Sequence, residues 1–212
     1  MKFNLIAGML ILGMVSSSRL FAQPNADEIA QLKARVAQLE KQVREISQLV
    51  EPLKAQQASE NRRKALRDKF NEKMAQDRAK YSSEQLREAE ELYQVANQKW
   101  GTSEASESLQ KMIKKYPDIN RTGCATLYVA QRSEGEERIK YLQECIEKFN
   151  DCYYGDGVQV GAYARFLLAE YYQSKGEAQK ADALDKEIRI KYADAVDHSG
   201  RLLVESKRGE PK

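Results

Sequence analysis

The sequence predicts an all-helical protein: an export signal, a long coiled-coil helix, then about three helical hairpins closed by a capping helix. Three observations carry this. No glycine occurs between Gly13 and Gly101, and Pro52 is the only proline between Pro24 and Pro117. A stretch so free of breakers, rich in Glu, Gln, Lys, Arg and Ala, reads as helix. Apolar residues over 29–53 recur at alternating gaps of three and four. All eleven tyrosines lie between Tyr81 and Tyr192, where a helical motif returns three times.

The chain has 212 residues, 32% charged and 8% aromatic, a mixture suited to long solvated helices more than to one deep core. Residues 1–22 read as a signal peptide. Lys2 gives a positive start, and the eleven apolar residues 5–15 are too few to span a bilayer but right for a signal core. Cleavage is expected after Ala22. No cysteine follows the apolar run to take a lipid, so the product is expected to be exported and soluble in its compartment, with no membrane span. The formal charge of +3 loses Lys2 and Arg19 with the signal, leaving 33 basic against 32 acidic residues, a net of +1. That balance demands neither nucleic acid nor an anionic membrane.

The segment 23–53 is the predicted oligomerisation element. Asn25 and Glu28 have capping-box spacing and open the helix. Ile29, Leu32, Val36, Leu39, Val43, Ile46, Val50 and Leu53 then form four heptads of a and d positions, with Ile or Val at every a. So narrow a stripe is a coiled-coil seam. Glu28 and Lys33, and Arg35 and Glu40, stand at g and e spacing, where opposite charges pair between parallel copies. Val at a with Leu at d suits two strands, whereas Ile46 at d does not. The segment 35–40 resembles the Arg-h-x-x-h-Glu motif of short parallel trimeric coiled coils. That resemblance implies that Arg35 packs along the seam and reaches Glu40 of a neighbouring copy, and a trimer is favoured over a dimer.

Pro52 is expected to disturb the helix. Residues 54–81 read as a charged helical spacer with a thin stripe of Leu66, Phe70 and Met74. Its basic residues, among them Arg62, Arg63, Lys64 and Arg67, are interleaved with Glu60, Asp68, Glu72 and Asp77, as on a solvated face. The alternative is a basic stalk that touches anionic wall polymer or lipid headgroups.

A repeat domain is expected over 82–206, opened by a Ser82–Gln85 capping box, with a disordered tail at 207–212. Lys115-Tyr116-Pro117-Asp118, Lys148-Phe149-Asn150-Asp151 and Lys191-Tyr192-Ala193-Asp194 share Lys, an aromatic, any residue, then Asp. The aromatics are 33 and then 43 residues apart, the additional ten falling in a loop-like stretch around Gly155-Asp156-Gly157. Each aromatic should end a helix, and Gly101, Gly135 and Gly176 should mark the turns. This period resembles the tetratricopeptide repeat, best in the third unit (Leu168, Ala169, Tyr172, Gly176, Ala181), fairly in the first (Leu92, Ala96, Ala105, Pro117) and weakly in the second. Leu202, Leu203 and Val204 are expected to form the terminal helix that covers the last repeat. The first helix of each pair would line a concave groove, which makes Tyr93, Tyr128 or Gln131, and Tyr171 or Arg165 the candidate partner-binding residues.

No catalytic or metal constellation is found. His198 stands beside Asp197 and Ser199, but a triad must converge from separate parts of a fold. No CxxC, HExxH or phosphate-loop pattern occurs, so no enzymatic activity, cofactor or metal is expected. The three cysteines leave three options in an exported protein: a bridge between Cys124 and Cys145, one between Cys145 and Cys152, or reduced thiols in small packing positions.

Signal, parallel coil and C-terminal repeats together resemble the periplasmic Tol–Pal-associated cell-division coordinator family. The resemblance is one of architecture and covers nearly the whole chain. It implies a non-enzymatic, oligomeric periplasmic scaffold or adaptor whose repeats bind envelope or cell-division proteins. The alternative is a structural coiled-coil spacer or surface protein in contact with peptidoglycan or a membrane surface.

Overall fold

The computed structural model describes residues 25–206; the expected signal peptide (1–22) and the expected disordered tail (207–212) lie outside them. Among the described residues there are seven helices and no strand: α1 (Ala26–Lys80), α2 (Ser83–Gln98), α3 (Ser103–Lys115), α4 (Asn120–Arg132), α5 (Gly135–Glu147), α6 (Val160–Ser174) and α7 (Ala178–Lys191). The chain divides into two compact units, Met1–Leu53 and Lys54–Lys212.

In the first unit, Asn25 Oδ1 accepts the Asp27 amide and the Asn25 carbonyl accepts the Ile29 amide, so α1 starts where the capping signal stands. The assigned helix continues through Pro52, which forfeits one backbone bond without ending it. Ile29, Leu32, Val36, Leu39, Val43, Ile46 and Leu53 are all exposed, between 39% and 64%. Leu49 joins them as an exposed apolar side chain.

The second unit begins at residue 54, not near 81 as the composition suggested. Residues 54–80 are not a solvated spacer. Leu66 is buried, Phe70 packs on the core, and Asp77 is buried one turn beyond Met74 on the same stripe. Leu66 lies so close to Gly157 that a Cβ there would come within 2.8 Å of it. Asp77 has a further role. The cap residue of α4, Ile119, has no side-chain oxygen to offer, and the Asn120 amide donates instead to Asp77 Oδ2 at 2.9 Å. An orphan donor at one helix start is thus satisfied by a side chain 43 residues earlier.

The remaining helices form three hairpins, α2–α3, α4–α5 and α6–α7. Each helix packs on the next, and α4 touches both α2 and α6. The Ser82–Gln85 box caps α2 reciprocally, and Thr102 caps α3. Gly101 and Gly176 hold positive φ at the hairpin turns, and Gly135 at the start of α5. Tyr116 and Tyr192 are the residues that end α3 and α7, and Phe149 follows the end of α5. The recurring tetrapeptide is therefore a helix stop whose aromatic turns back into the core. Helix α6 is buried from Val160 to Ala169, as befits a nearly continuous apolar run.

The ten-residue insertion folds as a tight loop. Tyr153 and Gln159 form an antiparallel bridge, the Gly157 amide donates to the Tyr154 carbonyl, and Gly157 has φ +95°. The expected terminal helix is absent. Residues 195–204 instead form a turn closed by the bridge Val196–Leu202 and by the Leu203 amide on the Ala195 carbonyl. Local chemistry explains the difference. Asp197 Oδ1 accepts the Ser199 and Arg201 amides, and Gly200 takes φ +84°. Asp and Gly so placed specify a turn, and the three apolar residues beyond are too few to nucleate a helix. Leu203 still covers the last hairpin, buried among core residues.

Candidate functional site

The first hairpin helices carry side chains that meet the insertion loop and the C-terminal turn around a cleft of about 440 Å³. Helix α2 supplies Tyr93 and Asn97, its following turn Trp100, and helix α4 Arg121, Tyr128 and Gln131. Tyr154, Gly155 and Asp156 close it from the insertion, and His198 from the C-terminal turn.

The hydroxyls on its aromatic walls are largely spent inside the protein. Tyr128 donates to the Ala96 carbonyl and Tyr154 to the Cys124 carbonyl. Burial pushes the Tyr93 and Tyr154 phenols well up. Trp100 differs. Its ring centroid lies 3.8 Å from that of Tyr128 at 60°, yet the residue is 51% exposed.

The charged side chains have partners inside the protein. Arg121 lies over the Tyr93 ring, 4.5 Å from its centroid, and pairs with Glu90 at 2.7 Å. His198 Nδ1 is 2.8 Å from Asp156 Oδ2, with its ring edge-on to Tyr154 and Tyr163. Burial pushes the Asp156 carboxyl up, but the His198 contact and the Val158 amide outweigh it and hold it below the usual range.

Three of the five sequence candidates, Tyr93, Tyr128 and Gln131, fall in this cleft. Arg165 does not. It is buried, donating through Nη1 to Asn150 Oδ1 and the Gly161 carbonyl, pairing with Glu187 at 3.2 Å and lying over the Tyr192 ring. It braces the third hairpin because its long side chain reaches Asn150, Gly161, Glu187 and Tyr192 together. Tyr171 also stands apart, packed edge-on against Tyr172 and beneath Lys175. Sequence reasoning missed Trp100, Arg121, Tyr154, Asp156 and His198. The last three come from two irregular segments that no helical periodicity could bring together, but the lone tryptophan beside a turn glycine was a readable signal.

The three cysteines are free, so neither the Cys124–Cys145 bridge nor the Cys145–Cys152 bridge is formed. Cys124 and Cys145 are buried in the core as small packing residues, and the Cys124 thiol faces the Tyr153 carbonyl at 3.5 Å. Burial raises all three thiols, Cys152 to about 12.

Among the described residues no group of His, Cys, Asp and Glu is placed to hold a metal ion, and no helix is long and apolar enough to cross a membrane. No family model, curated protein or solved structure matches the chain.

Proposed function

We propose that this chain is a non-enzymatic, self-associating periplasmic adaptor: its N-terminal helix forms a homotrimeric coiled coil, and its hairpin array, read as a tetratricopeptide-like solenoid, docks envelope or cell-division proteins. One observation carries the reading above others. A row of large apolar side chains from Ile29 to Leu53 stands exposed at heptad spacing, and so long an apolar seam needs copies of itself as cover. Supporting it, α4 touches both other first helices, the pattern expected where stacked hairpins build a continuous inner face. Oligomerisation multiplies weak contacts of the hairpin array through avidity.

In-cell crosslinking and pull-down of the mature protein, beside a version lacking residues 26–53, tests this. Recovery of envelope or division proteins through residues 82–206, weakened when the coil is removed, is the expected result. Recovery of only itself or bare wall material by both versions would sink the adaptor reading and leave a structural spacer.

A further inference from the structure

We propose that the cleft around Trp100 takes a neutral oligosaccharide, a use that goes beyond protein docking and rests only on reading the cleft as a recognition surface. A pyranose ring has an apolar face of C–H bonds and an edge of hydroxyls. It therefore needs an open aromatic plate with neutral hydrogen-bonding groups alongside. The cleft offers both. Trp100 is half open, supported by Tyr128. Asn97 and Gln131 line the same cleft; a carboxamide carries an acceptor and two donors, and although Asn97 Nδ2 already donates to Gln94 Oε1 at 3.4 Å, its oxygen and second N–H remain to meet neighbouring hydroxyls.

Charge argues for a neutral ligand. Arg121 is already paired with Glu90, and the Asp156 carboxylate is held by the His198 ring and the Val158 amide, so each charged side chain of the lining already has a partner. Shape argues against a peptide anchor. Peptide hot spots sit in enclosed, fully desolvated pockets, whereas the largest free apolar surface here is an indole left 51% exposed. The cleft volume of about 440 Å³ falls within the range of small-ligand sites, roughly 300–1,000 Å³.

Trp100 is the only tryptophan in the chain, so its emission reports directly on the cleft. The full chain is titrated with cellotetraose, chitotetraose and maltotetraose, with a tyrosine-containing peptide in parallel. The expected result is a saturable change in emission with at least one saccharide. Asn97→Ala and Gln131→Ala should each weaken binding by about tenfold, the loss typical of one polar contact, with helix content unchanged. Trp100→Ala should abolish the heat of saccharide binding in calorimetry while its circular dichroism stays native. Silence toward every saccharide, or a response to the peptide alone, would overturn the proposal. Pull-down of protein partners is read separately, so an intact pull-down without saccharide binding defeats this proposal and not the adaptor reading.

Discussion

Single residues carry more of this fold than their exposure in the sequence suggests. Asp77 looks like one more charge on a polar helix, yet it caps α4. Asp77→Ala strands the buried Asn120 amide and should cost about 1–3 kcal/mol in denaturant unfolding. Asp77→Asn keeps an acceptor and should be close to neutral at pH 7. Wild type and the Asn variant also differ in pH dependence. Burial raises the Asp77 carboxyl above its ordinary value, against the pull of the Asn120 amide. Its contribution is therefore full below the unfolded value and is lost as pH rises through the folded one. The Asn variant should lack that decline, and unfolding measured across the acidic range checks it. Gly161 sits where a Cβ would come within 2.6 Å of the Asn150 Cα and 2.8 Å of its carbonyl. Gly161→Ala should destabilise by about 1–3 kcal/mol, the usual cost of overpacking, visible as a lowered melting temperature. Neither role was legible in the sequence. A polar residue on a thin stripe gives no sign of a partner 43 positions on, and a glycine inside an apolar run gives no sign of which backbone approaches it.

At the scale of elements the sequence was far more informative, because helices announce themselves locally. The Ser82–Gln85 box, the turn glycines and the three aromatic stops rest on spacing and cap chemistry and stand where they were expected, and the heptad residues 29–53 lie on one helix with exposed side chains. What failed was tertiary. Residues 54–80 read as a spacer because only three large apolar side chains mark them, yet two of these, Leu66 and Phe70, suffice when the insertion loop receives them. The C-terminal helix failed for the opposite reason, since turn chemistry in residues 197–200 outweighed a short apolar run. The seam gives a direct test. Leu39→Lys or Val36→Lys places a charge where neighbouring copies should bury an apolar side chain contributing about 1.5–3 kcal/mol. Each should shift the oligomer toward monomer by tenfold or more in sedimentation, at a rough 1.4 kcal/mol per decade. The near-ultraviolet signal of the hairpin unit should not change. Thiol labelling tests the core in the same way. Native protein should react with iodoacetamide at the half-buried Cys152 first, with Cys124 and Cys145 appearing only on unfolding, since the thiolate is the reacting form and burial suppresses it. Rapid native labelling of all three would contradict the packing described.

For the whole molecule, the consequence of greatest weight comes from what the stretch 54–80 touches. Leu66 meets Gly157, Phe70 approaches Gly155, Arg62 pairs with Asp194, and Arg63 overlies Gly200. A ribosome delivers this stretch early and its partners last. The hairpins α2–α3 and α4–α5 join near neighbours in sequence and can close as they emerge. The stripe of Leu66, Phe70 and Met74 must wait, uncovered, until about a hundred further residues have been made. Closure is then late and long in range, the kind of step that slows folding and leaves apolar surface open to wrong partners in the interval. A polar, highly charged helix with a minimal apolar stripe is well suited to that delay: it stays solvated through synthesis, and commits only when the C-terminal turn arrives to lock it.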